Sequence, residues 1–436
     1  MQVTIDNSLD VLSKHMLRDG MNLVLDFEGS HGNYLRDLST GKEYLDFFSF
    51  FASLPIGFNH PGTKDAEYQA KLSRVAQIKP SNADIYSMEM AEFVSTFARI
   101  AGDQHFNKFF FISGGALAVE NALKAAFDWK VRKNLAAGKG EKGSQIIHFK
   151  EAFHGRSGYT MSLTNTDPIK TMYFPKFDWP RISNPKCRFP MDQQALMDVV
   201  AAEKQALAEI HAAIASNPDD IAAIIIEPIQ SEGGDNHFRV EFLKALRQIC
   251  DQHEMLLIFD EVQTGIGLTG KMWAYNHFPE ALPDLVAFGK KTQICGIMAS
   301  DRLNEVDSVF KVSSRINSTF GGNLVDMVRC QRYLEIIEQE NLVDNAARVG
   351  DFILGGLQQL QKQYEQVSNV RGRGLLLAFD CPDADYRQKL KDCLFEHQMM
   401  VLVCGEKSMR LRPGLAMNFE DAAKGLEIFD TCLKKL

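Results

Sequence analysis

MLLIFDEVQTGIGLTGK (255–271) and DLVAFGKKTQ (284–293) are the stretches on which the fold turns. Each opens with a short apolar run that lacks the apolar–polar alternation of a half-exposed strand. KFFFIS (108–113), SQIIHF (144–149) and IAAIIIEP (221–228) read the same way, and helix-length segments separate these runs. Unalternating apolar runs spaced in this manner are what strands covered on both faces of a mostly parallel sheet look like. The sequence therefore predicts an α/β fold.

Outward from this centre the organisation changes twice. YLRDLSTGKEY (34–44) has two β-prone pieces around a Ser-Thr-Gly turn and predicts a hairpin, so residues 1–60 read as an N-terminal segment that packs with a small domain. Residues 61–323 form the large α/β domain. From Leu324 a long helical stretch runs to Gln366, followed by VRGRGLLLAFD (370–380), read as one apolar strand, so 324–436 reads as a smaller α+β domain. A length of 436 residues fits that division, at about 150 residues per domain.

The formal net charge of −8 would repel a nucleic-acid polyanion, which directs attention to small-molecule partners. Eight cysteines without a C-x-x-C pair read as reduced packing thiols, and no metal site is expected. The start, MQVTIDNSLDVLSKH, is neither basic nor followed by an apolar run, and no stretch is long enough to span a bilayer. A cytoplasmic protein that does not engage membranes is the expectation.

Four sites carry candidate chemistry. In SGGALAVENALKAAFDWK (113–130) a strand ends, Gly114 and Gly115 follow, and a helix begins; its free N–H groups and positive dipole end would accept a phosphate. Gly265-Ile-Gly267-Leu-Thr-Gly270 matches G-x-G-x-x-G, but DEVQT separates it from its strand. Gly265–Lys271 resembles a P-loop, but Met272 stands where Ser or Thr is required. Asp260 is the better candidate, a carboxylate at the carboxyl end of a buried strand, where open α/β sheets place ligands. Lys290 follows Gly289 just past the next strand; desolvated there it would be a nucleophilic amine, with Lys291 the solvated alternative. In EAFHGRSGYT (151–160), Phe153 and His154 offer flat rings for a heteroaromatic cofactor and Arg156 a cation for a carboxylate.

In this order the motifs resemble the class III (ω-amino-acid) aminotransferases, fold type I enzymes that use pyridoxal 5′-phosphate. The core signature is IFDEVQTGIGLTGKMWAY…PDLVAFGK, and the resemblance spans nearly the whole chain. Within the class, FHGRSGYTMSLTNT, FPKFDWPRI, FGKKTQICG and NSTFGGN look most like members that move the ε-amine of L-lysine to 2-oxoglutarate, releasing L-glutamate. The resemblance implies that Lys290 holds the cofactor and shuttles a proton, and that Asp260 pairs with the pyridine nitrogen. By the same resemblance Val262 and Phe153 flank the ring, with His154 beside them, Gln263 lies near the phenolic oxygen, and Gly114 and Gly115 bind the phosphate. Thr319, in NSTFGGN, would complete the phosphate site of a neighbouring subunit, which implies a homodimer. Arg156 would grip the far carboxylate and Arg410 the near one, with Arg412 as rival; Glu232 would be the movable acid that covers Arg410 when lysine is bound. Ornithine, 4-aminobutyrate and acetylornithine aminotransferases share this machinery. A pyridoxal-phosphate aminomutase or decarboxylase, or a silent binding protein on the same fold, are the other readings.

Overall fold

The computed structural model describes residues 2–436. Strands Ile221–Ile226, Leu256–Asp260 and Leu285–Phe288 are buried at every position. That is the physical meaning of their unbroken apolar runs: helices cover both faces of the sheet, so neither side of the strand can be polar. These three form the centre of a seven-stranded sheet in the order Phe106–Ile112, Cys295–Ser300, Leu285–Phe288, Leu256–Asp260, Ile221–Ile226, Gln145–Phe149, Arg181–Ile182. All five runs singled out in the sequence are strands of it. Only Cys295–Ser300 runs antiparallel to its neighbours. Neither that strand nor the two-residue Arg181–Ile182 was legible beforehand: CGIMAS contains Gly and Ala that dilute the apolar signal, and two residues carry no period.

The expected hairpin forms from Tyr34–Arg36 and Glu43–Asp46, and Met399–Met400 pairs with its second strand. The beginning and end of the chain therefore share one small sheet. Two expectations for the C-terminal region need correction. VRGRGLLLAFD is not one strand but two, Ser368–Arg373 and Leu376–Asp380, folded back at Gly374. There φ is +54° and a Cβ would lie 2.5 Å from the backbone N of Gly270, so only glycine fits. The long helical stretch also breaks into Leu324–Gln339 and Leu342–Gln363, with Asn341 in the left-handed conformation between them. Strands 368–373, 376–380, 408–411 and 402–404 make a four-stranded antiparallel sheet.

All eight cysteines are buried and free. Cys393, His397 and Cys432 nevertheless converge across two helices, with the sulfurs 2.6 Å apart and His397 Nδ1 3.7 and 3.6 Å from them. Sequence spacing gives no hint of this, because residue 432 is 39 positions away from 393. Among the described residues no helix is long and apolar enough to cross a membrane.

Candidate active site

The site forms where strands of the large sheet deliver their carboxyl ends. Asp260 is the last residue of its strand, pairs in register with Ala287 of the next, and is 5% exposed. Its Oδ2 lies 2.8 Å from His154 Nδ1, and its Oδ1 accepts the Val262 N–H at 3.0 Å. Being within reach of an acceptor-only carboxylate, Nδ1 carries a proton. The other ring nitrogen, Nε2, is buried without a partner.

Lys290 leaves the adjacent strand through Gly289, where a Cβ would meet Cys295 Sγ at 2.8 Å. Its own φ is +54°, unusual for a lysine, and it turns the side chain into the cavity. Removal from water, with the Arg410 cation adding to it and Asp260 and Glu232 opposing, lowers the amine's pKa to about 8. Lys291 is not the surface charge that its neighbour made it seem. It is 2% exposed, and its Nζ donates to the Gln263 carbonyl at 2.7 Å and towards that of Ala52 at 3.4 Å. The choice between the two lysines thus follows from geometry: only Lys290 lines the cavity.

That cavity, of about 610 Å³, gathers Gly115, Phe153, His154, Arg156, Glu232, Asp260, Val262, Gln263, Lys290 and Arg410. Gly114 adjoins it as the N-cap of the helix Gly115–Ala136, with φ +104°. Thr319 does not reach it. It is exposed on a loop where its carbonyl accepts the Ser81 hydroxyl. The two rival arginines separate cleanly. Arg410, on the strand Ser408–Leu411, faces the cavity with NH2 3.0 Å from Glu232 Oε2. Arg412 lies just beyond the strand and is fully buried against Asp235, outside the cavity. Arg156 is exposed at the cavity and makes no ion pair among the described residues.

Further residues line the cavity without having been anticipated, among them Phe51, Lys170 and Glu227. Glu227 accepts the N–H groups of Phe153 and Ser231 at 3.0 Å each, tying the His154 turn to the Glu232 loop. Burial pushes its carboxyl up to about 7, with His154 opposing and Asp260 assisting. Its position at the end of IAAIIIEP carried the same strand-end signal as Asp260. Lys170 ends a short 3-10 turn and donates to Glu232 Oε1 at 2.7 Å. Phe51 sits on a turn whose four residues, Ser49 to Ala52, all have positive φ. A left-handed turn of L-residues is unfavourable at every step, and its braces explain its survival. Asp46 accepts the N–H groups of Phe48 and Ser49, and Gln263 Nε2 and Gln293 Nε2 donate to the carbonyls of Phe51 and Ser53. The Phe51 ring lies 5.9 Å from Lys290 Nζ.

The donor set suits a phosphorylated, cationic heteroaromatic ring. A 22-residue helix points its N-terminus at the cavity, and a Cβ on Gly115 would approach Val262 Cγ1 to 3.0 Å, so the approach to the backbone is kept open by glycine. Asp260, backed by His154, offers a buried anion, and Lys290 offers an amine of lowered basicity. These are the groups that pyridoxal phosphate requires.

The sequence pattern of class-III aminotransferases matches residues 16–433, and the chain belongs to that family. It is a pyridoxal-phosphate-dependent aminotransferase of fold type I. Among individual proteins, it is 51% identical over 419 residues to the L-lysine-epsilon aminotransferase of Mycobacterium tuberculosis, covering 95% of this chain and 92% of that protein. It is 49% identical over 420 residues to the L-lysine-epsilon aminotransferase of Amycolatopsis lactamdurans, covering 95% and 93%. The solved lysine aminotransferase from M. tuberculosis in its internal aldimine form superposes with a TM-score of 0.97 at 49% identity, covering 99% of this chain and 100% of that one.

Proposed function

We propose that this protein is an L-lysine 6-aminotransferase. It moves the ε-amino group of L-lysine to 2-oxoglutarate, giving L-glutamate and 2-aminoadipate 6-semialdehyde, which cyclises to piperideine-6-carboxylate. The observation that carries the reading is a cavity with two arginines in different states: Arg410 covered by Glu232, and Arg156 uncovered. Lysine presents a distal amine with no carboxylate near it, whereas glutamate presents an amine beside a carboxylate. Both must react at the same carbon. Arg156 serves the far carboxylate of either substrate. Arg410 serves the near carboxylate of glutamate or 2-oxoglutarate, and Glu232 neutralises it when lysine is bound. Left uncovered, an arginine that is 3% exposed would be a buried, uncompensated charge.

Bound pyridoxal phosphate supplies the electron sink for the pair released when a proton leaves the amine-bearing carbon. The chain's residues do the rest. Lys290 Nζ would anchor the cofactor between turnovers and carry that proton. Asp260, oriented by His154, would keep the pyridine nitrogen protonated. Phe153, Val262 and Gln263 would hold the ring, and the Gly114 and Gly115 amides would receive the phosphate. The reading includes a homodimer, in which Thr319 completes the partner's phosphate site; its exposure on a loop outside the chain's own cavity is compatible with that. An aminomutase or decarboxylase has no use for a covered Arg410, and the identities near 50% to L-lysine-epsilon aminotransferases favour lysine as donor over ornithine, 4-aminobutyrate or acetylornithine.

The test follows the two half-reactions separately by cofactor absorbance in Glu232→Ala. Burial alone would raise the Glu232 carboxyl, yet Arg410 and Lys170 hold it below the usual range, so it is an anion at neutral pH. Its removal should slow the lysine half-reaction by about 5- to 30-fold more than the 2-oxoglutarate half-reaction. This corresponds to roughly 1–2 kcal/mol, less than the 3–5 kcal/mol of a fully buried broken pair because Glu232 is 31% exposed. Equal losses in both directions would leave the ε-amine preference without this cause.

A further inference from the structure

Glu232 is held by two cations rather than one. Arg410 NH2 approaches its Oε2 at 3.0 Å, and Lys170 Nζ approaches its Oε1 at 2.7 Å. Lys170 is itself fixed. It closes the turn Pro168–Lys170, which Asp167 caps by accepting the Ile169 N–H, and its Nζ also donates to Thr166 Oγ1 at 3.1 Å. The ammonium lies 5.6 Å from the Phe153 ring centroid. Its side chain is 18% exposed, so the pair is only partly screened by water.

We infer that Lys170 is a positioning residue for substrate exchange: it keeps Glu232 paired when a near carboxylate takes Arg410. This rests on the reading of Glu232 as a movable cover. The argument follows from the two oxygens. A covering carboxylate displaced from its only cation would face desolvation without countercharge, which opposes displacement. With Lys170 on the other oxygen, Glu232 gives up Oε2 and keeps Oε1 bonded. An acid that has already one cation gains less from a second than an acid that has none, so Lys170 stabilises the uncovered state more than the covered one. The consequence is specific in sign. Lys170 assists the half-reaction of glutamate and 2-oxoglutarate, whereas Glu232 assists that of lysine.

The test uses the holoenzyme and four variants: Lys170→Met, Lys170→Arg, Glu232→Ala and the double variant Lys170→Met/Glu232→Ala. Each half-reaction is measured separately, together with the dissociation constant of glutarate, a dicarboxylate that cannot react, by calorimetry. Lys170→Met should raise KM for 2-oxoglutarate and weaken glutarate by roughly 3- to 10-fold, leaving kcat and the lysine half-reaction within about 2-fold. Lys170→Arg should restore both. In the Glu232→Ala background the Lys170→Met change should vanish, because its partner is gone. A loss that persists in that background would mean that Lys170 binds substrate directly, and equal losses in both half-reactions would mean a structural role; either overturns the proposal. If Glu232→Ala biases the half-reactions but Lys170→Met does not, the cover stands and the Lys170 proposal falls. Absence of bias in Glu232→Ala would remove the cover itself, and this proposal with it.

Discussion

The basicity of Lys290 gives the most quantitative consequence of the structure. Desolvation in the cavity and the nearby Arg410 cation bring its amine from the ordinary 10.5 to about 8, with Asp260 and Glu232 resisting. At pH 7 a lysine of pKa 10.5 is neutral in about 0.03% of molecules, and one of pKa 8 in about 9%, a gain of about 300-fold in nucleophilic amine. The sign is set by which form reacts: only the neutral amine attacks, so reactivity rises with pH up to the pKa and is flat above it. The experiment is competitive labelling of cofactor-free protein with acetic anhydride from pH 6 to 10, reading Lys290 by fragment-ion mass spectrometry to separate it from Lys291. Between pH 8 and 10 Lys290 should gain no more than about 2-fold, while an ordinary exposed lysine gains about 80-fold. Arg410→Gln should move the midpoint up, because a repelling cation is lost, and Asp260→Asn should move it down. A Lys290 profile still climbing steeply through pH 9 would refute the claim that cavity desolvation sets its reactivity.

Lys290→Ala should abolish transamination while the circular dichroism spectrum and melting behaviour persist, because the anchoring amine and the proton carrier are the same atom; turnover lost only in Lys291→Ala would move the role from Lys290 to Lys291. Asp260→Asn should lower the single-turnover rate by at least about 100-fold, since a neutral amide cannot hold a proton on the pyridine nitrogen. Near-normal single-turnover kinetics would dissociate Asp260 from that task.

How much of this was legible in the sequence depended on how local the cause was. Strands buried on both faces must be apolar throughout, so the three strands at the centre of the sheet announced themselves, and with them the residues at or just past their carboxyl ends, Asp260 and Lys290. Gly114 and Gly115 were legible because a strand-to-helix turn needs them. By contrast, Gly374 and Asn341 broke a strand and a helix at points where the surrounding pattern ran on, since a single left-handed residue leaves the apolar period intact. Whether Lys290 or Lys291, and Arg410 or Arg412, faced the cavity could not be settled from spacing. Each pair was separated by what distant segments offered it: Ala52 and Gln263 carbonyls for Lys291, Asp235 for Arg412. Phe51 and Lys170 reach the cavity through contacts across some 240 and 60 positions of chain respectively, to Lys290 and Glu232. The sequence by itself determined the class of fold and the chemistry at its strand ends, because a buried strand imposes its pattern on consecutive residues. Only tertiary structure decided which charges meet, because a pairing between remote segments leaves no mark on the residues beside either partner.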